Sequence, residues 1–306
     1  MKLELTGDIR THDPTIVKEN GVYYRFQTGE GLPFHQSADL RHWQSAGEIF
    51  PVAPDWTAHA IPKSTRHLWA PEIIRRGDEW RVYYSVSSFG SQKSAIGLVV
   101  NKSLDAKSAE YGWRDLGAVL QSDESCRYNA IDPCVVSEGG EDYLLFGSFW
   151  GGLFLTKLTA EGFVAKDTEV RNIATRQLEK DNAIEGGFLY RRGDWWYLFA
   201  SFDFCCRGTA STYRIVYGRA KTLADDFVDR TGKKMTEGGG TVLRDGSSFA
   251  RWAGTGHNSV FCDDGKTYLV YHAYDREDEG KSKLQIEEIS FDEDGWICLQ
   301  QHFSCE

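Results

Sequence analysis

Asn129-Ala-Ile-Asp-Pro-Cys-Val-Val136, running on to Tyr143-Leu-Leu-Phe-Gly-Ser-Phe-Trp150, is the pattern on which the whole chain is built. An acidic residue and a proline open a short apolar run, the Gly139-Gly140 turn follows, and an aromatic run completes the unit. Alternation and turn chemistry read this as a β-hairpin whose first strand begins at Asp132. The same arrangement opens at Asp13-Pro-Thr-Ile-Val17, Ala70-Pro-Glu-Ile-Ile74, Glu185-Gly-Gly-Phe-Leu189 and His257-Asn-Ser-Val-Phe261. Each opening is followed by a turn (Asn20-Gly21, Gly77-Asp78, Gly193-Asp194, Asp264-Gly265) and by an aromatic strand.

Strand-rich units repeated at this spacing are the signature of β-propeller blades. The expected fold is therefore all-β, a five-bladed β-propeller, with residues 1–306 forming one domain. Rotation about a common axis would bring equivalent positions onto one ring, which reads Asp13, Ala70, Asp132, Glu185 and His257. Three carboxylates and a histidine would share one small space, where like charges titrate as a group and suit acid–base chemistry. Closure by an N-terminal strand is open at this level: Leu3-Glu-Leu5 would lend a strand to the last blade, or the ring closes without it. Helix signals are nearly absent, at most a turn or two over 221–227, and 51–68 reads as a proline-bearing loop.

Composition narrows the function. A net charge of −10 without a Lys/Arg block argues against a nucleic-acid or phosphate surface. No apolar run reaches the length of a membrane span, and Met1-Lys-Leu-Glu-Leu5 is no signal peptide. The protein is expected to be cytoplasmic, or secreted with a leader removed. The seven cysteines lack zinc-ligand spacing, and the adjacent Cys205-Cys206 reads as a reduced pair with a vicinal disulfide as the alternative. Aromatic content is 13%, enough for blade cores and for platforms on which sugars stack.

Hydrolysis of a glycosidic bond needs an acid for the leaving oxygen and a second carboxylate as base or nucleophile. Asp13, Asp132 and Glu185 supply three. Singly, Asp-Pro and Glu-Gly are ordinary turn dipeptides; three at one repeat position favour a site. Trp69, Phe89 and Trp150 are placed to stack on sugar rings, and Asn129 and Ser148 to hydrogen-bond sugar hydroxyls.

Thr11-His-Asp-Pro14, Leu68-Trp-Ala-Pro-Glu72, Asn129-Ala-Ile-Asp-Pro133, Ala183-Ile-Glu-Gly186 and Gly254-Thr-Gly-His-Asn-Ser259 resemble the blade-opening motifs of glycoside hydrolase family 43. Phe146-Gly-Ser-Phe-Trp-Gly151 and Phe202-Asp-Phe-Cys-Cys-Arg-Gly-Thr209 are most similar to its endo-1,5-α-L-arabinanases. Two positions depart from that pattern: Glu72, where Asp is commoner, and Gly187, where Pro is common. The resemblance implies inverting, single-displacement cleavage of arabinan or arabino-oligosaccharides, with no nucleic-acid or membrane partner. Asp13 would be the general base, Glu185 the general acid, and Asp132 the residue that raises the pKa of Glu185 and orients it. It also implies a calcium ion in the central channel near His257, held largely by water, and no organic cofactor. The alternatives are an exo-acting α-L-arabinofuranosidase or β-xylosidase, in which loops 51–68 and 245–256 would wall off one end of the groove, and a non-catalytic glycan-binding propeller.

Overall fold

Five sheets of four or five strands, antiparallel except at one N-terminal edge pair, make up the protein in a computed structural model that describes residues 1–62, 64–177 and 181–299. From the axis outward, blade 1 runs Thr15–Glu19, Val22–Phe26, Pro33–Ser37, His42–Glu48; blade 2 runs His67–Arg76, Glu79–Val86, Ser94–Asn101, Arg114–Ser122. Blade 3 runs Cys134–Glu138, Glu141–Phe146, Leu153–Lys157, Val170–Ala174; blade 4 runs Ile184–Arg192, Trp195–Phe202, Arg214–Ala220, Thr241–Asp245. Blade 5 runs Trp252–Asp263, Lys266–Asp275, Lys281–Phe291, Ile297–Leu299.

The inner hairpins turn as their dipeptides dictate. Asn20-Gly21, Gly139-Gly140 and Asp264-Gly265 hold positive φ at both positions, the requirement of a type I′ turn. Gly77-Asp78 and Gly193-Asp194 hold it only at the glycine, as type II′ turns do. The core is divided: five apolar clusters fill the seams between neighbouring blades. Tyr24, Phe26, Val82 and Tyr84 close the seam of blades 1 and 2, and Leu145, Leu153, Leu198 and Val216 that of blades 3 and 4. Both outer faces of each sheet are thus buried, which is why Ser94–Asn101 reads as an almost unbroken apolar run.

The ring does close through the N-terminus. Leu3 N–H bonds Ile286 O and Leu284 N–H bonds Ile9 O, so residues 2–10 pair along the third strand of blade 5, on the edge that Ile297–Leu299 also occupies. Thr6–Gly7 at the same time pairs in parallel with His42–Trp43 of blade 1. One short segment therefore joins the first blade to the last.

One local expectation is corrected. The 51–68 loop contains a helix, Asp55–Ala60, which starts directly after Pro54, where a fixed φ favours helix entry. The 221–227 stretch forms turns, with Thr222 N–H bound to Asp225 Oδ2, within the turn or two expected there.

Candidate active site

Each blade has one ring residue with left-handed backbone, just before the inner strand in blades 1 and 3 and within it in blades 2, 4 and 5: Asp13 (φ 50°), Ala70 (41°), Asp132 (58°), Gly186 (58°) and His257 (48°). For residues other than glycine this conformation costs on the order of 1 kcal/mol or more and persists only where the surroundings hold it. Here the backbone N–H of each ring residue donates to a side chain of the preceding blade. Ala70 N–H meets Thr28 Oγ1 (2.7 Å), Asp132 N–H meets Ser85 Oγ (2.9 Å), His257 N–H meets Ser201 Oγ (2.7 Å) and Asp13 N–H meets His272 Nδ1 (3.2 Å).

This series corrects the register inferred at blade 4. The ring residue there is Gly186, and Glu185 stands one position earlier, so its side chain leaves the turn in a different direction. The exception continues in blade 3. Thr28, Ser85, Ser201 and His272 each lie opposite the residue preceding their own blade's ring position; in blade 3 that place belongs to Gly147, whose N–H bonds Ile131 O. Glycine has no side chain to offer, and a Cβ there would lie 2.3 Å from Gly152 O. The Gly186 N–H is accepted instead by the carboxylate of Asp132, Oδ2 at 3.0 Å. Asp132 is thereby tied to the turn that carries Glu185.

Glu185 is gripped at both oxygens. Ser148 Oγ donates to Oε2 (2.7 Å) and the hydroxyl of Tyr213 donates to Oε1 (2.8 Å). Tyr213 is fully buried, and it has room for its ring because position 256 is glycine: a Cβ there would sit 2.1 Å from Tyr213 Cδ1.

Asp13 lies among imidazoles. Its Oδ1 is 3.1 Å from His257 Nδ1, 3.3 Å from His12 Nδ1 and 3.6 Å from His272 Nδ1, while Oδ2 accepts from Thr28 Oγ1. Burial would raise this carboxyl, but His257, His12 and His272 together outweigh it and hold Asp13 well below the usual carboxylate range. Asp132 goes the other way. Burial first, then repulsion from Glu185 and Asp13, raise it to about 7 against the opposing pull of His257. Below about that pH the acidic cluster keeps a proton.

Two cavities of about 590 and 660 Å³ meet at Glu185. Asp13, Asp132, His257 and Tyr213 line the first; Asn129, Ser148 and Trp150 line the second; Trp69, Phe89, Ile131 and the Cys205-Cys206 pair line both. All nine residues singled out in the sequence thus face one continuous cleft. Phe89 is 84% exposed at its rim and Trp150 42%. The end wall that the exo alternative would raise from 51–68 and 245–256 is not built from them: among the described residues of these segments only His67 lines either cavity. Arg10, Thr11, Gln27 and Ser282 shape the Asp13 end instead. Sequence reading also missed Tyr213, Thr28, His12 and His272, which lie outside the expected ring.

A calcium ion prefers six to eight oxygen ligands. His12, Asp13 and His272 come together closely enough to share an ion, but the N–H of Asp13 occupies His272 Nδ1, and His12 spends both nitrogens on Asp13 and Tyr274. His257 has its Nδ1 turned to Asp13, which leaves Nε2 as a single protein ligand. These residues fit an ion whose shell is mostly water.

A propeller with buried carboxyls of opposed protonation, converging on a sugar-sized cleft lined with aromatic rings, has the architecture of a glycoside hydrolase. The profile of Glycosyl hydrolases family 43 matches residues 6–297, and the chain belongs to that family. It is 40% identical over 299 residues to the extracellular exo-α-(1→5)-L-arabinofuranosidase ArbA of Cellvibrio japonicus (strain Ueda107), covering 94% of this chain and 86% of that one. It is 38% identical over 290 residues to the extracellular endo-α-(1→5)-L-arabinanase 1 of Bacillus subtilis (strain 168), covering 93% and 86%. Among solved structures, the α-L-arabinanase of Cellvibrio cellulosa complexed with arabinohexaose superposes with a TM-score of 0.91 at 39% identity, covering 96% of each chain.

Proposed function

We propose that the protein hydrolyses α-1,5-linked L-arabinan within the chain, by a single displacement that inverts the anomeric centre. The observation that carries this is the position of Glu185 at the junction of two cavities, with Asp13 confined to one of them. A glycosidic oxygen beside Glu185 would have sugar on both sides. The unit whose anomeric carbon is attacked would lie toward Asp13, and the leaving chain toward Asn129, Ser148 and Trp150.

Asp13, held ionised by its histidines, takes a proton from water as the water oxygen attacks the anomeric carbon. Glu185 gives a proton to the leaving oxygen as the glycosidic bond breaks. Asp132 orients the acid through the Gly186 N–H. Asp132 keeps its own proton up to about pH 7, so below that pH it places no second negative charge beside the acid. Trp69, Phe89 and Trp150 offer ring faces to the furanoses. A calcium ion held at His257 Nε2 would add positive charge beside the acids. Action outside the cell is supported by the two extracellular relatives.

The test is hydrolysis of linear 1,5-arabinan with products separated by length and their anomer read by NMR. Mixed oligosaccharides released as the β-anomer are expected. No release, or undiminished activity in Glu185→Ala, would remove the proposal. The exo reading is favoured by the ArbA relative; one product length from the first time point would select it.

A further inference from the structure

Cys205 and Cys206 have no part in the steps above, yet both lie in the wall shared by the two cavities, next to Glu185. No other cysteine lines either cavity among the described residues. Their Sγ atoms are 2.8 Å apart. The turn that presents them is fixed: Cys206 has φ 61°, its N–H donates to Tyr274 OH (2.7 Å), and that hydroxyl also meets His12 Nε2 (2.9 Å). Backbone that positions two thiols side by side on a substrate wall is not needed for packing, since Cys206 is exposed.

Resting on the arabinan reading for its substrate, we propose that Cys205 and Cys206 are a modification site, closed by a small disulfide such as oxidised glutathione, and that the closed form binds arabinan more tightly. Cys206 is the attacking thiol. The hydrogen bond from Cys205 lowers its pKa, against burial, and His12 adds to the effect. Its sulfur attacks one sulfur of the oxidant, forming a mixed disulfide and expelling one reduced thiol. Cys205 then loses its proton and attacks the Cys206 sulfur, expelling the second. The oxidant gains two electrons and two protons, and the protein gains one S–S bond.

The consequence for binding follows from what the wall becomes. The open pair puts ionisable sulfur beside the carboxyls of Glu185 and Asp13; the closed pair is neutral, apolar and unable to rotate. A sugar's C–H face gains dispersion contacts on such a surface and meets no extra charge. Neighbouring Cα atoms lie ~3.8 Å apart, shorter than the roughly 4.4–6.8 Å usual for disulfides, so the ring should reopen readily with a reductant.

Trypsin cuts after Arg192 and Arg207 and isolates these two cysteines on one peptide. The intact protein, treated with oxidised glutathione and alkylated without reduction, should yield this peptide lighter by two hydrogens and free of label. Dithiothreitol should restore both labelled thiols. KM on linear arabinan should fall about threefold or more on closure, roughly 0.7 kcal/mol, with kcat within about twofold, and Cys206→Ser should lose this response. Full labelling after oxidation, or a persistent glutathione adduct, overturns the modification site. A closed peptide with unchanged KM overturns its role in binding. Absence of hydrolysis in both states overturns the arabinan reading instead, leaving the peptide mass to decide the thiol chemistry.

Discussion

Asp13 and Asp132 are the same residue type, in the same left-handed turn, two blades apart, and they titrate in opposite directions. Both are buried, and burial alone would raise both. What separates them is company: three imidazoles within 3.6 Å of Asp13, and two further carboxyls repelling Asp132. Propeller symmetry supplies equivalent backbone positions, while the chemistry comes from side chains that break that symmetry. Environment assigns the roles of base and proton holder.

The most damaging way to break this contrast is to remove its ends. Glu185→Ala and Asp13→Asn should each lower kcat by roughly 10³–10⁴, the upper span for lost proton transfer, read as initial rates on linear arabinan. Asp132→Asn should cost less, about 10²-fold, and alter the pH profile. In the wild type the rate should fall as pH rises through about 7, where Asp132 releases its proton; a falling limb unchanged in Asp132→Asn would refute that assignment.

Glu72 sharpens the comparison by isolating burial. Among the described residues it has neither the imidazoles of Asp13 nor the carboxylate neighbours of Asp132, only a hydrogen bond from Thr15 at 2.9 Å, and burial raises it to about 8. Between its ordinary value near 4.5 and about 8 the folded protein holds a proton that the unfolded chain has released, so stability falls as pH rises across that window and levels off above it. Glu72→Gln should remove this slope and raise stability at pH 8 by on the order of 2–4 kcal/mol, measured by denaturant unfolding. The smallest effect is expected from the rim: Trp150→Ala should raise KM a few-fold at nearly constant kcat, about 1 kcal/mol of stacking lost.

Much of this was legible in the sequence. The five openings and their turn dipeptides marked each inner hairpin, since glycine at positive φ and alternating aromatic runs are local signals. The position of Glu185 was misjudged by one residue because Glu-Gly-Gly aligns acid to acid. Aligning the buried Ile16, Ile73, Val135 and Leu189 would have placed Gly186 on the ring. Tyr213 and His272 were missed for a different reason. His272 sits on a second strand and Tyr213 directly before a third, where a polar residue beside an apolar run gives no hint that the axis lies next to it. The helix at Asp55–Ala60 is only six residues long, too short for periodicity to announce it.

Position 147 has a bearing on how the site would be mapped by experiment. Its contribution is the missing hydroxyl: were it Ser, like its counterparts 85 and 201, a cap would compete with Asp132 for the Gly186 N–H. A survey that swaps residues for alanine would register only the collision with Gly152 and file the position under structure. The working part there is a gap, and truncating side chains cannot probe it.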